Sequence, residues 1–104
     1  MASKDIRGVI VPILTPLNSD ETVDTNSMRR LVNYLIDNGA HGIWVSGTTG
    51  EFANLSNKQR LVSVETVVDE VAGRVPIIGN ISCPSTQLSL ELALAVQEME
   101  LDAI

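Results

Sequence analysis

Three short apolar runs alternate with three amphipathic segments along this chain, and the alternation strongly constrains its fold. The runs lie at residues 8–14, 42–46 and 75–81, with strands expected to start near positions 9, 43 and 75. Runs that are apolar throughout are typical of strands buried on both faces. A fourth strand is expected to begin near position 103, in Leu101–Ile104. The order β-α-β-α-β-α-β predicts an α/β fold with a parallel sheet.

The segments between the strands predict helices. The first has apolar residues at helical spacing from Met28 to Ile36, with Asp24 or Thr25 as its N-cap and Gly39 to end it. The second opens with an S-x-x-Q pattern, which predicts a capping box. Gly73 ends it, and one apolar face is expected from four of its residues: Leu61, Val64, Val68 and Val71.

The third segment, Thr86–Met99, is ambiguous by pattern alone. Its leucines at 88, 90, 92 and 94 alternate as in a strand. Its length and its content of Leu, Ala, Glu and Gln favour a helix. We therefore predict a helix over this range.

Composition limits the class of protein. The 104 residues suit one domain, 1–104, and the net charge of −6 argues against nucleic acid or an anionic membrane as a partner. No apolar run approaches the roughly 18 residues of a membrane span, and the polar N-terminus does not resemble a signal peptide. With Cys83 as its one cysteine, the chain is expected to be cytoplasmic. No side-chain spacing suggests a metal site, and no cofactor is expected.

The stretch V-S-G-T-T-G-E-F-A-N-L-S at 45–56 lies between the second strand and the second helix. Sites of parallel α/β folds gather at the carboxyl ends of strands. Gly47 and Gly50 permit unusual dihedral angles and close backbone approach, and successive N–H groups there can form an anion-binding nest. Thr48 and Thr49 add two hydroxyls. The pattern predicts a site for a small anion, while an ordinary turn with threonines bonded to their own backbone is the alternative interpretation.

Four segments resemble the dihydrodipicolinate synthase / N-acetylneuraminate lyase family. They are L-T-P-L at 14–17, the stretch at 45–56, G-R-V-P-I-I at 73–78 and the closing D-A-I. The strand end at 79–82, Gly-Asn-Ile-Ser, departs from a sequence that is usually glycine-rich in that family. The resemblance implies the first three βα units and the start of the fourth strand of a (β/α)8 TIM barrel.

Members of that family form a Schiff base between a lysine and pyruvate or another 2-oxo acid. By the resemblance, Thr49, Gly47 and Gly50 would bind the substrate carboxylate, and Thr48 would act catalytically in a hydroxyl relay. A homo-oligomer is expected. The family's reactive lysine and its relay tyrosines come later than Ile104.

Other chemically active side chains are expected to have structural roles. Lys4 lies before the first strand and Lys58 in the first turn of a helix, so neither suits a Schiff-base nucleophile. Tyr34 and His41 are expected to be structural, and Cys83 to be a small packing residue. Glu51 follows Gly50, and its carboxylate is expected to orient the loop by accepting hydrogen bonds from backbone N–H groups.

Two classes of function therefore compete. The first is the N-terminal portion of a pyruvate-dependent class I aldolase or lyase. Within it, dihydrodipicolinate synthase is favoured over a 2-keto-3-deoxy sugar acid aldolase or an N-acetylneuraminate lyase. The second is a non-catalytic carboxylate-binding α/β fragment, which would self-associate through its exposed sheet edge and apolar faces.

Overall fold

The computed structural model describes residues 4–104, which form a three-stranded parallel sheet in the order β1-β2-β3. β1 spans Ile10–Pro12, β2 spans Gly42–Val45 and β3 spans Ile77–Gly79. A parallel bridge joins Ile78 to Ala103 on the edge of β3 opposite β2. The predicted alternating α/β order and the parallel sheet are confirmed, whereas the expected fourth strand is represented only by this isolated bridge within the described residues.

Prolines lie at the ends of the first and third strands, which are shorter than the apolar runs. Pro12 is the last residue of β1, and Pro76 precedes β3. A proline has no N–H group to donate to a ladder, although its carbonyl still accepts. The Pro76 carbonyl accepts from the N–H of Ile43 at 3.0 Å, and the ladder beyond Pro12 continues through a 3.0 Å bond from Ile13 N–H to the Trp44 carbonyl.

Helix α1, Thr25–Asp37, begins where its cap residue predicts. The two carboxylate oxygens of Asp24 accept hydrogen bonds from the N–H and the hydroxyl of Ser27, at 3.1 and 2.6 Å. At the other end Asn38 is the C-cap and Gly39 has φ +91°. This left-handed conformation favours glycine and explains the stop.

Helix α2, Asn57–Val71, has only half of the predicted capping box. Ser56 accepts from the N–H of Gln59 at 3.2 Å, as expected. The Gln59 side chain does not return the bond, because its Oε1 accepts instead from the N–H of Val23 at 2.8 Å. Gln59 therefore ties the segment before α1 to the start of α2.

The buried face of α2 is rotated from the predicted one. Val64, Val67 and Val71 are buried, whereas Leu61 and Val68 are only partly buried at its margin. The continuation of the buried face toward the N-terminus carries a charged residue, Arg60, at 3% exposure.

Helix α3, Thr86–Val96, confirms the choice of helix over strand and ends before the predicted Met99. Leu92 and Val96 are buried, while Leu90 and Leu94 are exposed. Within the described residues, no helix is long and apolar enough to cross a lipid bilayer.

The core lies between one face of the sheet and the helices. Ile43 and Val45 of β2 are fully buried, whereas the intervening Trp44 is 42% exposed on the other face, as the alternation of a strand requires. Residues from the strands, the helices and the segments between them make one apolar cluster: Ile13, Val23, Met28, Val32, Ile43, Val45, Val64, Val67, Val71, Ile77, Leu92, Val96 and Leu101. Because the strands are parallel, their carboxyl ends lie at the same end of the sheet, where the segments that follow the strands meet.

Candidate functional site

The segment from Ser46 to Glu51, here called the threonine loop, follows β2 and leads into a short 3-10 helix, Phe52–Asn54. It therefore lies at the carboxyl edge of the sheet, as predicted. Thr48 and Thr49 are exposed, while the residues around them are buried: Ser46, Gly47 and Gly50. The loop has an embedded base and an exposed tip that carries both hydroxyls.

The unusual backbone angles of the loop lie outside its two glycines. Ser46 has φ 57° and Glu51 has φ 59°, both left-handed, whereas Gly47 and Gly50 are not in that region. The expectation that the glycines supply unusual dihedral angles was wrong. The other expectation, that a glycine is needed for close backbone approach, is correct for Gly50. A Cβ there would lie 3.0 Å from the carbonyl of Ile13 and from the hydroxyl of Thr15, a distance that side chains rarely reach.

Residues from both neighbouring strand ends hold the base of the loop. Thr15, after β1, donates its hydroxyl to the carbonyl of Gly50 at 2.7 Å. Asn80, after β3, donates its amide to the carbonyl of Ser46 at 2.8 Å. One hydrogen bond therefore holds each end of the buried base of the loop. These two bonds to neighbouring strand ends fix the position of the exposed tip.

The tip of the loop is rich in available donors. Within residues 4–104, the N–H groups of residues 47–50 and the hydroxyls of Thr48 and Thr49 have no protein acceptor. Neither threonine hydroxyl therefore bonds its own backbone, which is the feature that the alternative of an ordinary turn predicts. A pocket of about 200 Å³ adjoins the donors of residues 47–49 and is lined by Pro12, Trp44, Gly47, Thr48 and Thr49. Donors beside an apolar wall suit a small organic anion.

Glu51 does not orient the loop in the expected way. Its carboxylate accepts from the side-chain amide of Asn54 at 3.4 Å, and in the described part of the chain it accepts from no backbone N–H. Its own backbone N–H donates to the carbonyl of Thr48 at 2.9 Å. The main chain of Glu51, and not its carboxylate, closes the loop.

The two lysines lie away from the threonine loop. The Lys4 ammonium is 3.8 Å from the carboxylate of Asp102, next to the residues that precede the sheet. Lys58 is exposed in the first turn of α2. Tyr34 is 63% exposed on α1, so its side chain does not have the packing role expected of it. These positions place no Schiff-base nucleophile at the loop.

His41 and Cys83 have structural contacts. Nδ1 of His41 accepts from the N–H of Val9 at 2.8 Å, at the amino end of β2. Cys83 is partly buried against the core, with its Sγ 3.5 Å from the guanidinium of Arg60. Among residues 4–104, no group of three or more His, Cys, Asp or Glu side chains is placed to hold a metal ion.

Arg60 is the residue at this edge that sequence reasoning missed. Its guanidinium donates to the carbonyls of Asn80 and Ser82 at 2.8 and 2.7 Å and lies 5.0 Å from the centroid of the Phe52 ring. It also borders a second pocket, of about 430 Å³. Positions 60, 64, 67 and 71 have helical spacing, and that pattern could have identified a buried arginine.

Comparison with known proteins gives a consistent result. The sequence profile of the Dihydrodipicolinate synthetase family matches residues 5–104. A 4-hydroxy-tetrahydrodipicolinate synthase from Shewanella piezotolerans is 41% identical over 99 residues, which cover 95% of this chain and 34% of that protein. An N-acetylneuraminate lyase from Enterobacter sp. is 35% identical over 102 residues, with 98% and 34% covered.

A solved structure agrees with the sequence matches. The chain superposes with a TM-score of 0.89 and 34% identity on the chloride-inhibited dihydrodipicolinate synthase from Acinetobacter baumannii complexed with pyruvate. The match covers 95% of this chain and 34% of that one. This chain spans about a third of the length of the curated relatives it matches.

Proposed function

This chain belongs to the dihydrodipicolinate synthetase family, and on that premise we propose that its threonine loop binds the carboxylate of pyruvate or another 2-oxo acid. The supporting observation is the set of unused donors at residues 47–49, which line a pocket of about 200 Å³. The size and the donors suit a three-carbon acid. A relative of similar fold is complexed with pyruvate, which supports the choice of ligand.

The two threonine hydroxyls have different roles in this proposal, one in binding and one in proton transfer. Thr49 and the N–H groups of Gly47 and Gly50 hold the carboxylate, because several donors aimed at one anion stabilise its charge. Thr48 serves proton transfer during imine formation, since a hydroxyl can both donate and accept. In the reaction a lysine amine and the 2-oxo group form an imine and release water.

We propose that residues 1–104 are one partial domain, the first three βα units and the start of the fourth strand of a (β/α)8 barrel. The superposition on longer relatives and the Ile78–Ala103 bridge support this arrangement. The expected activity is that of a pyruvate-dependent class I aldolase or lyase acting as a homo-oligomer, with dihydrodipicolinate synthase favoured as the subfamily. Sedimentation equilibrium tests the assembly, and a monomer at all concentrations would contradict it.

Trp44 provides a direct test of carboxylate binding. It is the only tryptophan in the sequence, and it lines the same pocket as Thr48 and Thr49. Saturable quenching of its fluorescence by pyruvate is expected, with much weaker quenching by pyruvamide, which keeps the 2-oxo group but lacks the carboxylate. Thr49→Val should weaken pyruvate binding about tenfold, the cost of one hydrogen bond to a charged group.

Thr86→Val is the matched control, because Thr86 is also exposed but begins α3, away from the loop. It should bind pyruvate as the unchanged protein does. Equal quenching by pyruvate and pyruvamide would overturn the proposed site, since the carboxylate would then make no contribution.

A second candidate, a non-catalytic carboxylate-binding role, is favoured by the positions of Lys4 and Lys58. Both lie away from the loop, and Lys58 is exposed. Treatment with pyruvate and borohydride separates the candidates, because borohydride reduces an imine to a stable adduct. In a protein extended beyond Ile104, where the resemblance places the reactive lysine, a mass gain of one reduced pyruvate would favour the lyase. Saturable binding without any adduct would favour the binding role.

A further inference from the structure

We infer that Asn80 is a positioning residue for the threonine loop, an inference that rests on the proposed function. Asn80 follows β3, and its N–H donates to the carbonyl of Val45 at 3.1 Å, which extends the ladder between β2 and β3. Its side-chain amide then donates to the next carbonyl, that of Ser46, at 2.8 Å. One residue therefore contacts both peptide groups from which the loop departs.

The side chain of Asn80 is held in one orientation. Its Oδ1 accepts from the hydroxyl of Ser82 at 2.9 Å and from the N–H of Ser82 at 3.4 Å. Rotating the amide by half a turn would place Oδ1 against the Ser46 carbonyl and the NH₂ group against the Ser82 N–H. The network therefore directs the donor toward Ser46.

The backbone of Asn80 is fixed in turn by Arg60. The guanidinium donates to the carbonyls of Asn80 and Ser82, so it holds both sides of the turn that carries the Asn80 amide. Arg60 is 3% exposed, and its forked donor groups have few alternative orientations. The contacts form a continuous path from α2 through Asn80 to the threonine loop.

Ser46 is the residue that needs this support. Its φ of 57° is left-handed, a conformation that is unfavourable for a residue with a Cβ. It is fully buried, and its hydroxyl has no hydrogen-bond partner among the described residues. The Ser46 side chain makes no hydrogen bond that would hold the turn, whereas the Asn80 amide bonds the Ser46 carbonyl directly. That turn sets the direction in which Gly47 and the two threonines leave the strand.

The test compares Asn80→Ala with Asn38→Ala by Trp44 fluorescence titration with pyruvate. Asn38 is a close match, because its amide also donates to a backbone carbonyl at 2.8 Å, that of Tyr34 at the end of α1. Asn80→Ala should raise the pyruvate Kd about tenfold, since it frees the base of the loop. Asn38→Ala should change the Kd by less than about twofold.

Ser46→Gly distinguishes positioning from a general loss of stability. Glycine reaches the left-handed region without strain, so in a Ser46→Gly background the Kd penalty of Asn80→Ala should shrink to about threefold or less. If Asn80→Ala acts only by destabilising the fold, the penalty will be the same in both backgrounds, and the inference is overturned. Thermal unfolding of each variant checks that all are folded at the titration temperature.

The failures of the two proposals can be told apart. If the unchanged protein shows no saturable response to pyruvate, the proposed function fails, and the inference about Asn80 fails with it. If the unchanged protein binds pyruvate and Asn80→Ala binds it equally well, the threonine loop does not depend on Asn80, and only this inference fails.

Discussion

The Thr15 hydroxyl donates a 2.7 Å hydrogen bond to the carbonyl of Gly50 across 35 positions of sequence. Thr15 is 7% exposed and Gly50 is buried, so neither group can turn to solvent for a substitute. The bond joins the segment after β1 to the end of the threonine loop. The absence of a side chain at Gly50 permits it, because a Cβ would lie 3.0 Å from the same hydroxyl.

Replacing Thr15 by valine should cost about 1–3 kcal/mol of unfolding free energy, because the shape is kept but the buried Gly50 carbonyl loses its donor. Thr66→Val is the control. Thr66 is 4% exposed and also donates at 2.7 Å, to the Val62 carbonyl of its own helix. That carbonyl is positioned to accept a helix N–H as well, so the loss there should stay below about 1 kcal/mol. Urea denaturation measures both, and equal losses would contradict the assigned importance of the Thr15 bond.

Gly50→Ala should destabilise the protein by about 1–3 kcal/mol, since the new methyl group forces the Ile13 carbonyl or Thr15 away. Gly47→Ala is the contrast in the same loop. A Cβ at Gly47 would lie 3.5 Å from Nε1 of Trp44, an ordinary contact, and its φ is not left-handed. Its cost should be below about 1 kcal/mol. Thermal unfolding of both variants checks the order, and a larger loss at Gly47 would refute this view of the loop.

Local features of the fold could be predicted from sequence, because each depends on neighbours in the chain. The Asp24 cap, the stop at Gly39 and the helical choice for Thr86–Val96 follow from spacing and residue type. The supports of the site could not be predicted in this way. The contact between Asn80 and Ser46 spans 34 positions and requires the sheet to exist first.

The errors at the site have the same cause. Glycine is the usual residue for a positive φ, and that preference pointed to Gly47 and Gly50. The fold places the left-handed turns at Ser46 and Glu51, beside the glycines. At Ser46 the left-handed turn accompanies a tertiary contact, the hydrogen bond from the Asn80 amide to the Ser46 carbonyl, which local preference does not include. The burial of Arg60 could not be predicted for a related reason. A guanidinium on the apolar face of a helix is stable only when carbonyls distant in sequence accept its hydrogen bonds.

Acid should remove the contribution of the Asp24 cap. The hydroxyl of Ser27, and then its backbone N–H, lower the pKa of Asp24 below its ordinary value of 3.8. A folded-state pKa below the unfolded one means that the stabilisation is complete above the unfolded value and is lost as the pH falls through the folded one. Asn also caps helices but does not titrate. Relative to Asp24→Asn, the unchanged protein should therefore lose stability below about pH 4.

Urea midpoints measured between about pH 6 and pH 2 test this effect of the cap. Asp37→Asn is the control, at the last residue of the same helix, where the carboxylate has no hydrogen-bond or ion-pair partner among residues 4–104. It should not reproduce the acid-dependent difference. Parallel pH profiles for Asp24→Asn and the unchanged protein would show that the cap contributes no acid sensitivity.

Arg60→Met should be the most damaging of these substitutions, at about 3 kcal/mol or more, because the carbonyls of Asn80 and Ser82 both lose a donor. Arg60→Lys should recover only part of the loss, since one ammonium cannot match the forked geometry of a guanidinium. Arg30→Met is the control on an exposed helix surface, where among residues 4–104 the guanidinium bonds only the hydroxyl of Ser27. It should change stability by less than about 0.5 kcal/mol. Urea denaturation ranks the three variants. If Arg60→Met proves as stable as the unchanged protein, apolar packing against Phe52 outweighs the bonds to the two carbonyls, and Arg60 does not support the turn that carries Asn80.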